Sequence, residues 1–208
     1  RAADGRVPGR RGLATRQRLL ECTVEMLRTT SYRDVKVIDI AREAGTSPAT
    51  FYQYFPDVEA AILVLAEQMA QDGHRLPALI REGTWRGKAG LATATELCQA
   101  FFDFWEEYRS ILRVMDLATE EGDRRFHQIR TRLLNEVNVA LTETISQFQD
   151  ASRSPRTIEP TATAAVLVSM LAHVAAHQYG FEFWGIRTKD LRDSMARQIY
   201  WGVTGQKL

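Results

Sequence analysis

Apolar residues recur along this chain at helical spacing almost from end to end. Between Thr15 and Thr29, Leu20, Val24 and Leu27 fall on one stripe beside Leu19, Thr23 and Met26, which predicts a first helix ending near Thr30. Val35, Val37 and Ile40 could alternate as a strand, but Ile38 and Ala41 break the period of two and Gly45 follows as a stop. Lys36 to Ala44 therefore reads as a short helix. Ser47 is a good N-cap, and Pro48 at the first helical position loses no hydrogen bond, so a third helix is expected over Pro48 to Phe55. Pro56 and Asp57 open a longer helix with Val58, Ile62, Leu65 and Met69 on one face, continuing toward Leu76 to Ile80. Further helical stretches run over Leu91 to Tyr108, Ser110 to Ala118, Arg125 to Gln149, Thr161 to Phe183 and Lys189 to Val203, separated by turn-rich pieces. No convincing strand or internal repeat interrupts them. The expected fold is all-α: a basic arm over residues 1–12, a three-helix helix-turn-helix domain over 13–57, and a helical domain over 58–208.

Composition narrows the class. With 208 residues, 45% of them hydrophobic and 25% charged, the chain has room for one sizeable core. Its longest apolar run, Ala60 to Ala66, is far below the roughly 20 residues that a membrane-spanning helix needs. Cys22 and Cys98 stand alone in helical stretches, so no disulfide framework or CxxC site can be built, and a reducing, cytoplasmic compartment is expected. The net charge of +1 conceals a split, because residues 1–56 hold 10 basic and 6 acidic side chains while the rest of the chain is acidic. Six of those basic residues are arginines within the first 18 positions. Such asymmetry suits an end that faces nucleic acid, although a solvated basic tail has the same composition.

The segment around Gly45 decides between these. Two short helices joined by Gly45, Thr46 and Ser47 have the form of a DNA-binding helix-turn-helix, in which the second helix enters the major groove. Pro48 and Ala49 offer apolar contact to thymine methyls, and Thr50 and Gln53 can hydrogen-bond to base edges. Tyr52 and Tyr54 flank Phe51 and Phe55, a spacing that sends the phenylalanines inward and leaves both phenols free for phosphates.

The run Ile40-Ala41-Arg42-Glu43-Ala44-Gly45-Thr46-Ser47-Pro48-Ala49-Thr50-Phe51-Tyr52-Gln53-Tyr54-Phe55-Pro56 closely resembles the signature of TetR-family transcriptional regulators. The resemblance covers about residues 13–70. It implies a base-reading helix carrying Thr46, Ser47, Pro48, Ala49, Thr50 and Gln53, phosphate contacts at Tyr52 and Tyr54, and further phosphate contacts at Arg16 and Lys36. One departure matters: Val58 stands between Asp57 and Glu59 where the family commonly has a lysine, which shifts electrostatic work onto the arginine arm. Over Arg11 to Leu208 the chain is also similar to family members that regulate fatty-acid synthase genes. That resemblance implies a long-chain acyl-CoA effector that weakens operator binding; no other cofactor is expected.

The larger domain adds its own observations. Fourteen of the 19 aromatic residues lie beyond residue 56, crowded at Phe101 to Tyr108 and Tyr179 to Trp184. Aromatics around most of a helix can line an apolar pocket between helices. Leu97, Phe101, Phe104, Leu112, Met115, Phe126, Ile129, Leu133, Val168 and Leu171 are the candidate lining residues, although plain core packing accounts for each one singly. Arg109, Arg113, Arg124 and Arg125 could meet an anionic head group, or be surface charge. Thr161 to Tyr179 is apolar nearly all round and must be buried on all sides. With Leu191, Met195, Ile199 and Val203 it is expected to form an isologous four-helix homodimer interface, the alternative being an intramolecular core. His173 and His177 are spaced to chelate a metal, but without a third ligand packing or interface hydrogen bonding explains them better and no metal site is expected. No GxSxG elbow, Walker A loop or GxGxxG run occurs, so an enzyme is not expected. The expected protein is a homodimeric regulator that binds a palindromic double-stranded DNA operator and a hydrophobic small-molecule effector, with no membrane partner. A helical lipid carrier and a metal enzyme remain as rivals, and neither explains Gly45 to Phe55.

Overall fold

The structure is a computed structural model that describes residues 9–151 and 158–205. Among the described residues there are eleven α-helices, a short 3-10 turn at Tyr32–Asp34 and no strand, as the periodicity predicts. The first four helices are α1 (Arg10–Thr29), α2 (Val37–Glu43), α3 (Pro48–Tyr54) and α4 (Val58–Asp72). They are followed by α5 (Arg75–Glu82), α6 (Gly87–Glu107), α7 (Arg109–Glu120) and α8 (Arg124–Ala151). The chain closes with α9 (Pro160–Ala176), α10 (Gln178–Phe183) and α11 (Thr188–Thr204).

Three boundaries differ from the sequence expectation. Residues 1–8 of the expected basic arm lie outside the described residues, and Arg10 to Gly12 already form the first turn of α1. The helix expected to run on toward Ile80 is interrupted after Asp72, so that Leu76 and Ile80 belong to the separate helix α5. The stretch Thr161 to Phe183 is two helices, because α9 ends at Ala176 and α10 starts at Gln178.

The chain forms two compact units. One contains the residues up to Met69 together with Ser110–Ile129, and the other contains Ala70–Arg109 and the residues from Arg130 onward. Helices α4 and α8 each run from one unit into the other. The first unit thus holds more than the three N-terminal helices. Arg125 at the start of α8 bonds Asp123 at 2.6 Å and Glu59 of α4 at 3.0 Å, and Arg33 pairs with Glu121. The Arg125 guanidinium holds the Asp123 carboxyl down at about 2.

In the first unit, α1, α2 and α3 pack around Leu19, Leu20, Ile40, Ala41, Phe51 and Phe55, all of which are almost completely buried. Arg18 donates from Nε to the Ala44 carbonyl at 3.2 Å, tying α1 to an end carbonyl of α2. That end is closed by a Schellman pattern. The Thr46 amide reaches the Ala41 carbonyl at 2.8 Å and the Gly45 amide reaches Arg42 at 3.0 Å, with Gly45 at φ +66°.

In the second unit, α11 packs chiefly on α6, and α9 packs on both. Gly90 of α6 is required for this closeness, since a Cβ there would lie 2.8 Å from the Tyr200 ring of α11 and 2.4 Å from the Trp85 backbone. At the C-terminal end of α6, Tyr108 donates to Asp72 at 3.1 Å and Arg75 bonds Glu107 at 2.6 Å, which fastens the α4–α5 junction to α6. Burial and the Asp72 carboxylate push the Tyr108 phenol up to about 12.

Replacing Gly45 by alanine should destabilise the first unit by about 1–2 kcal/mol, because an L side chain resists the left-handed conformation. Urea denaturation of both proteins measures this. An unchanged midpoint would show that the turn can close without φ above zero.

Candidate nucleic-acid interface

Helix α3 has only seven residues, too short to persist alone, so its ends and its inward face must hold it. At its start the Ser47 side chain accepts the Thr50 amide at 3.2 Å, and the Ser47 and Thr50 hydroxyls lie 3.0 Å apart. Pro48 occupies the first turn, as the capping pattern predicts. Inward, Phe51 is fully buried and Phe55 is 2% exposed, with their ring centroids 5.5 Å apart. The helical period then leaves Ser47, Pro48, Ala49, Tyr52 and Gln53 exposed and Thr46, Thr50 and Tyr54 half-buried, so eight candidate DNA-contacting residues share one short segment.

Lys36, which precedes α2, is exposed and lines the same groove as Pro48 and Tyr52. Arg16 is different. Its guanidinium lies over the Phe55 ring, 5.1 Å from the centroid, and its Nε is buried without a partner. It supports the back of the recognition helix as well as supplying charge at the edge of the face. Val58, where a lysine was expected, is half-buried in the first turn of α4. The acids beside it are engaged locally: Asp57 Oδ1 accepts the Ala60 amide at 2.7 Å as an N-cap, and Glu59 meets Arg125. Sequence reasoning missed Ile38, which is 58% exposed on the same groove as Lys36, Pro48 and Tyr52. In the sequence it serves only to break the strand period of two, and nothing local marks it as exposed.

The candidate effector-lining residues are all buried, but not in one unit. Leu97, Phe101, Phe104, Leu133, Val168 and Leu171 belong to the second unit, while Leu112, Met115, Phe126 and Ile129 belong to the first. Of the four arginines, Arg109 lies over the Tyr179 ring at 4.4 Å and Arg125 is held by Asp123 and Glu59. Arg113 borders a cleft beside the end of α1, and Arg124 is exposed.

On α9 the apolar circumference divides. Ala164, Leu167, Val168, Leu171, Ala172 and Ala175 are buried, whereas Ala162, Ala165, Val166, Ser169, His173 and His177 are exposed. The expected partner-facing stripe on α11 needs correction: Met195, Ile199 and Val203 are buried within their own chain, where α11 packs on α6 and α9, and Leu191 is half-buried. The exposed side of α11 carries Ser194, Arg197, Gln198 and Trp201 instead. His173 and His177 stack with centroids 4.2 Å apart, and His177 Nδ1 lies 2.9 Å from the His173 carbonyl oxygen.

A short capped helix presenting small, polar and phenolic side chains, set on α1 and α2 and followed by an all-helical body, defines the helix-turn-helix regulator class. Residues 19–61 match the family described as bacterial regulatory proteins, tetR family, and residues 76–208 match the tetracyclin repressor-like C-terminal domain. The chain belongs to the TetR family. It is 26% identical over 133 residues to an uncharacterized HTH-type transcriptional regulator of Haemophilus influenzae, a match covering 64% of this chain and 63% of that protein. It is also 44% identical over 57 residues to the HTH-type transcriptional regulator EthR of Mycolicibacterium smegmatis, covering 27% of this chain and 23% of that one. Both matches thus span less than two thirds of the relative's length.

Among solved structures, the fatty acid degradation regulator FadR from Bacillus halodurans superposes with a TM-score of 0.69 at 14% identity, over 95% of this chain and 98% of that one. FadR from Bacillus subtilis in complex with stearoyl-CoA gives 0.64 at 18%, over 92% and 99%. These similarities establish the fold. Among the described residues no helix is long and apolar enough to cross a membrane.

Two substitutions separate the roles on this face. Tyr52→Phe removes one phenol from the exposed surface and should weaken duplex binding several-fold regardless of sequence, whereas Gln53→Ala should change which bases are preferred. Fluorescence anisotropy with a randomised and a selected duplex distinguishes them. Unchanged affinity and preference in both variants would overturn the assignment.

Proposed function

We propose that the chain is a homodimeric, effector-controlled regulator that binds a palindromic DNA operator through α3 and releases it when a long-chain acyl-CoA occupies the C-terminal domain. The observation that carries the DNA-binding part is the outward face of α3. Phe51 and Phe55 are consumed by the core, and the remaining side chains from Ser47 to Tyr54 are small, polar or phenolic and lie outward, with Lys36 on the same groove as Pro48 and Tyr52. The composition of that surface suits a major groove, with amide and hydroxyl groups for base edges and phenols for phosphates.

Dimerisation is supported by surface that the single chain leaves uncovered. The exposed side of α9 is made of small residues with Val166 at 68% exposure, and Trp201, Trp184 and Phe183 are 38%, 72% and 89% exposed. A twofold pairing through α9 and the outer side of α11 would cover Val166 and Trp201. A homodimer also carries two copies of α3, and a palindrome is read only when their separation is roughly 34 Å or a multiple of it.

The effector part rests on resemblance and on chemistry. The fold neighbours include regulators named for fatty-acid degradation, one of them solved with stearoyl-CoA. The second unit of this chain carries a dense aromatic core at Phe101, Phe102, Phe104 and Trp105 that suits an acyl chain. On this reading the genes controlled are those of fatty-acid biosynthesis. An effector that prefers the conformer with the wrong spacing shifts the population and weakens DNA binding. Helix α4, which like α8 is shared by both units, is one covalent connection through which it would act.

The test titrates stearoyl-CoA, free coenzyme A and free stearate into a preformed complex with a selected duplex. Stearoyl-CoA should lower DNA affinity by about 5- to 150-fold, the range of an ordinary allosteric coupling. Coenzyme A alone should not. Equal DNA affinity with and without every acyl ligand would overturn the effector assignment and leave DNA binding intact, while a monomer by native mass spectrometry would overturn the dimer.

A further inference from the structure

Ile38 is an isoleucine with more than half of its surface exposed, placed between residues of opposite behaviour. Ile40 and Ala41 are fully buried and Val35, just before α2, is 8% exposed, so the inward side of α2 is filled without Ile38. Scattered exposed apolar residues are common and need no explanation. Ile38 is not scattered, because it lines one groove with Lys36, Pro48 and the 53% exposed Tyr52. Three apolar or aromatic surfaces therefore adjoin a cation at the start of the recognition helix.

We infer that Ile38 is a specificity-determining residue that takes the C5-methyl of a thymine in each operator half-site, the groove face of Ile38, Pro48 and Tyr52 forming the apolar seat. The inference rests on the DNA-binding reading above. The thymine methyl is the one apolar group that a base pair offers in the major groove, so an apolar seat on a groove-facing surface has a single chemical match there. The methyl projects toward the sugar-phosphate edge of the groove. A side chain that meets it accordingly sits next to side chains that hold phosphates, and Lys36 and Tyr52 are such neighbours in this groove. Two carboxylates, Asp57 and Glu59, also line the groove, and both are engaged locally. Asp57 is used as the α4 N-cap and Glu59 is paired with Arg125.

The experiment removes only the methyl. A duplex is first selected from a random pool by the full chain, and each thymine in it is then replaced singly by uracil, which keeps every hydrogen-bonding group. Wild-type protein should lose about fourfold in affinity at one or more positions per half-site, the loss expected from exposing one methyl group. Pro48 and Ala49 can contribute at positions of their own, so the decisive comparison is between variants. Ile38→Ser should abolish the thymine-over-uracil preference at one position per half-site and leave the others unchanged. Ile38→Val, which keeps a branched apolar surface, should retain it.

Failure takes distinguishable forms. If no sequence is enriched from the pool, the DNA-binding reading itself falls. If a sequence is enriched and Ile38→Ser keeps the full wild-type pattern of uracil sensitivity, Ile38 reads no methyl and the inference is overturned. If Ile38→Ser instead weakens every duplex equally, the residue is a backbone contact, which also overturns it. Circular dichroism of Ile38→Ser checks that α2 is retained; if it is not, Ile38→Ala, a good helix former that also removes the apolar seat, should show the same loss of preference, and retention of the full wild-type pattern in it overturns the inference.

Discussion

The DNA-facing surface depends on burying Phe51 and Phe55. A seven-residue helix has too few internal hydrogen bonds to survive in water, so α3 exists because two aromatic rings on one side of it enter the core of α1 and α2. Everything displayed outward follows from that anchoring. Once residues 51 and 55 point inward, the 100° step between neighbours turns 49, 52 and 53 away from the core, while Pro48 is exposed at the helix start. Arg16 closes the arrangement from behind by lying over Phe55, and Arg18 ties the end of α2 to α1. The glycine turn then has one task, to bring α3 across α2 within three residues, and the left-handed φ of Gly45 allows it.

The second unit solves a different problem. Helix α9 is apolar nearly all round, and a helix of that kind needs cover on two sides. Its own chain supplies one side, through α6 and α11, and leaves the other exposed. The same division explains why the stripe of Met195, Ile199 and Val203 on α11 is spent internally: α11 packs against α6 at a glycine, Gly90, and so closely that its apolar side has no surface left to offer a partner. What α9 and α11 leave exposed is small residues on the one and a polar, tryptophan-bearing side on the other, not two matching apolar stripes.

Charge distribution joins the two units to their tasks without any single strong bond. The basic excess lies in the residues that precede Phe55, and the acids nearest the recognition helix are consumed by a helix cap and by Arg125. Two arginines of the larger unit reach across to other helices, Arg75 to Glu107 and Arg109 over the Tyr179 ring. They act as fasteners between helices. A further fastening, Tyr108 to Asp72, sits at the end of α4, which like α8 belongs to both units.

Local patterns in the chain were sufficient for the helices, the caps and the recognition segment. Ser47, Pro48 and Gly45 each act within a few residues of themselves, and the alternation of Phe and Tyr along α3 needs no distant partner to be read. The same holds for the family signature, which is contiguous. Tertiary structure decided what depends on a neighbour far along the chain. Periodicity carries a helix past Asp72 but cannot see the anchoring of that junction by Tyr108 and Glu107, nor can it say whether an apolar stripe such as that of α11 faces its own chain or another. Ile38 shows the converse case, an apolar residue in an apolar run that packing leaves outside because Val35 and Ile40 already fill the core. Sequence patterning records which residues can be buried, and only the three-dimensional competition for a limited interior determines which of them are.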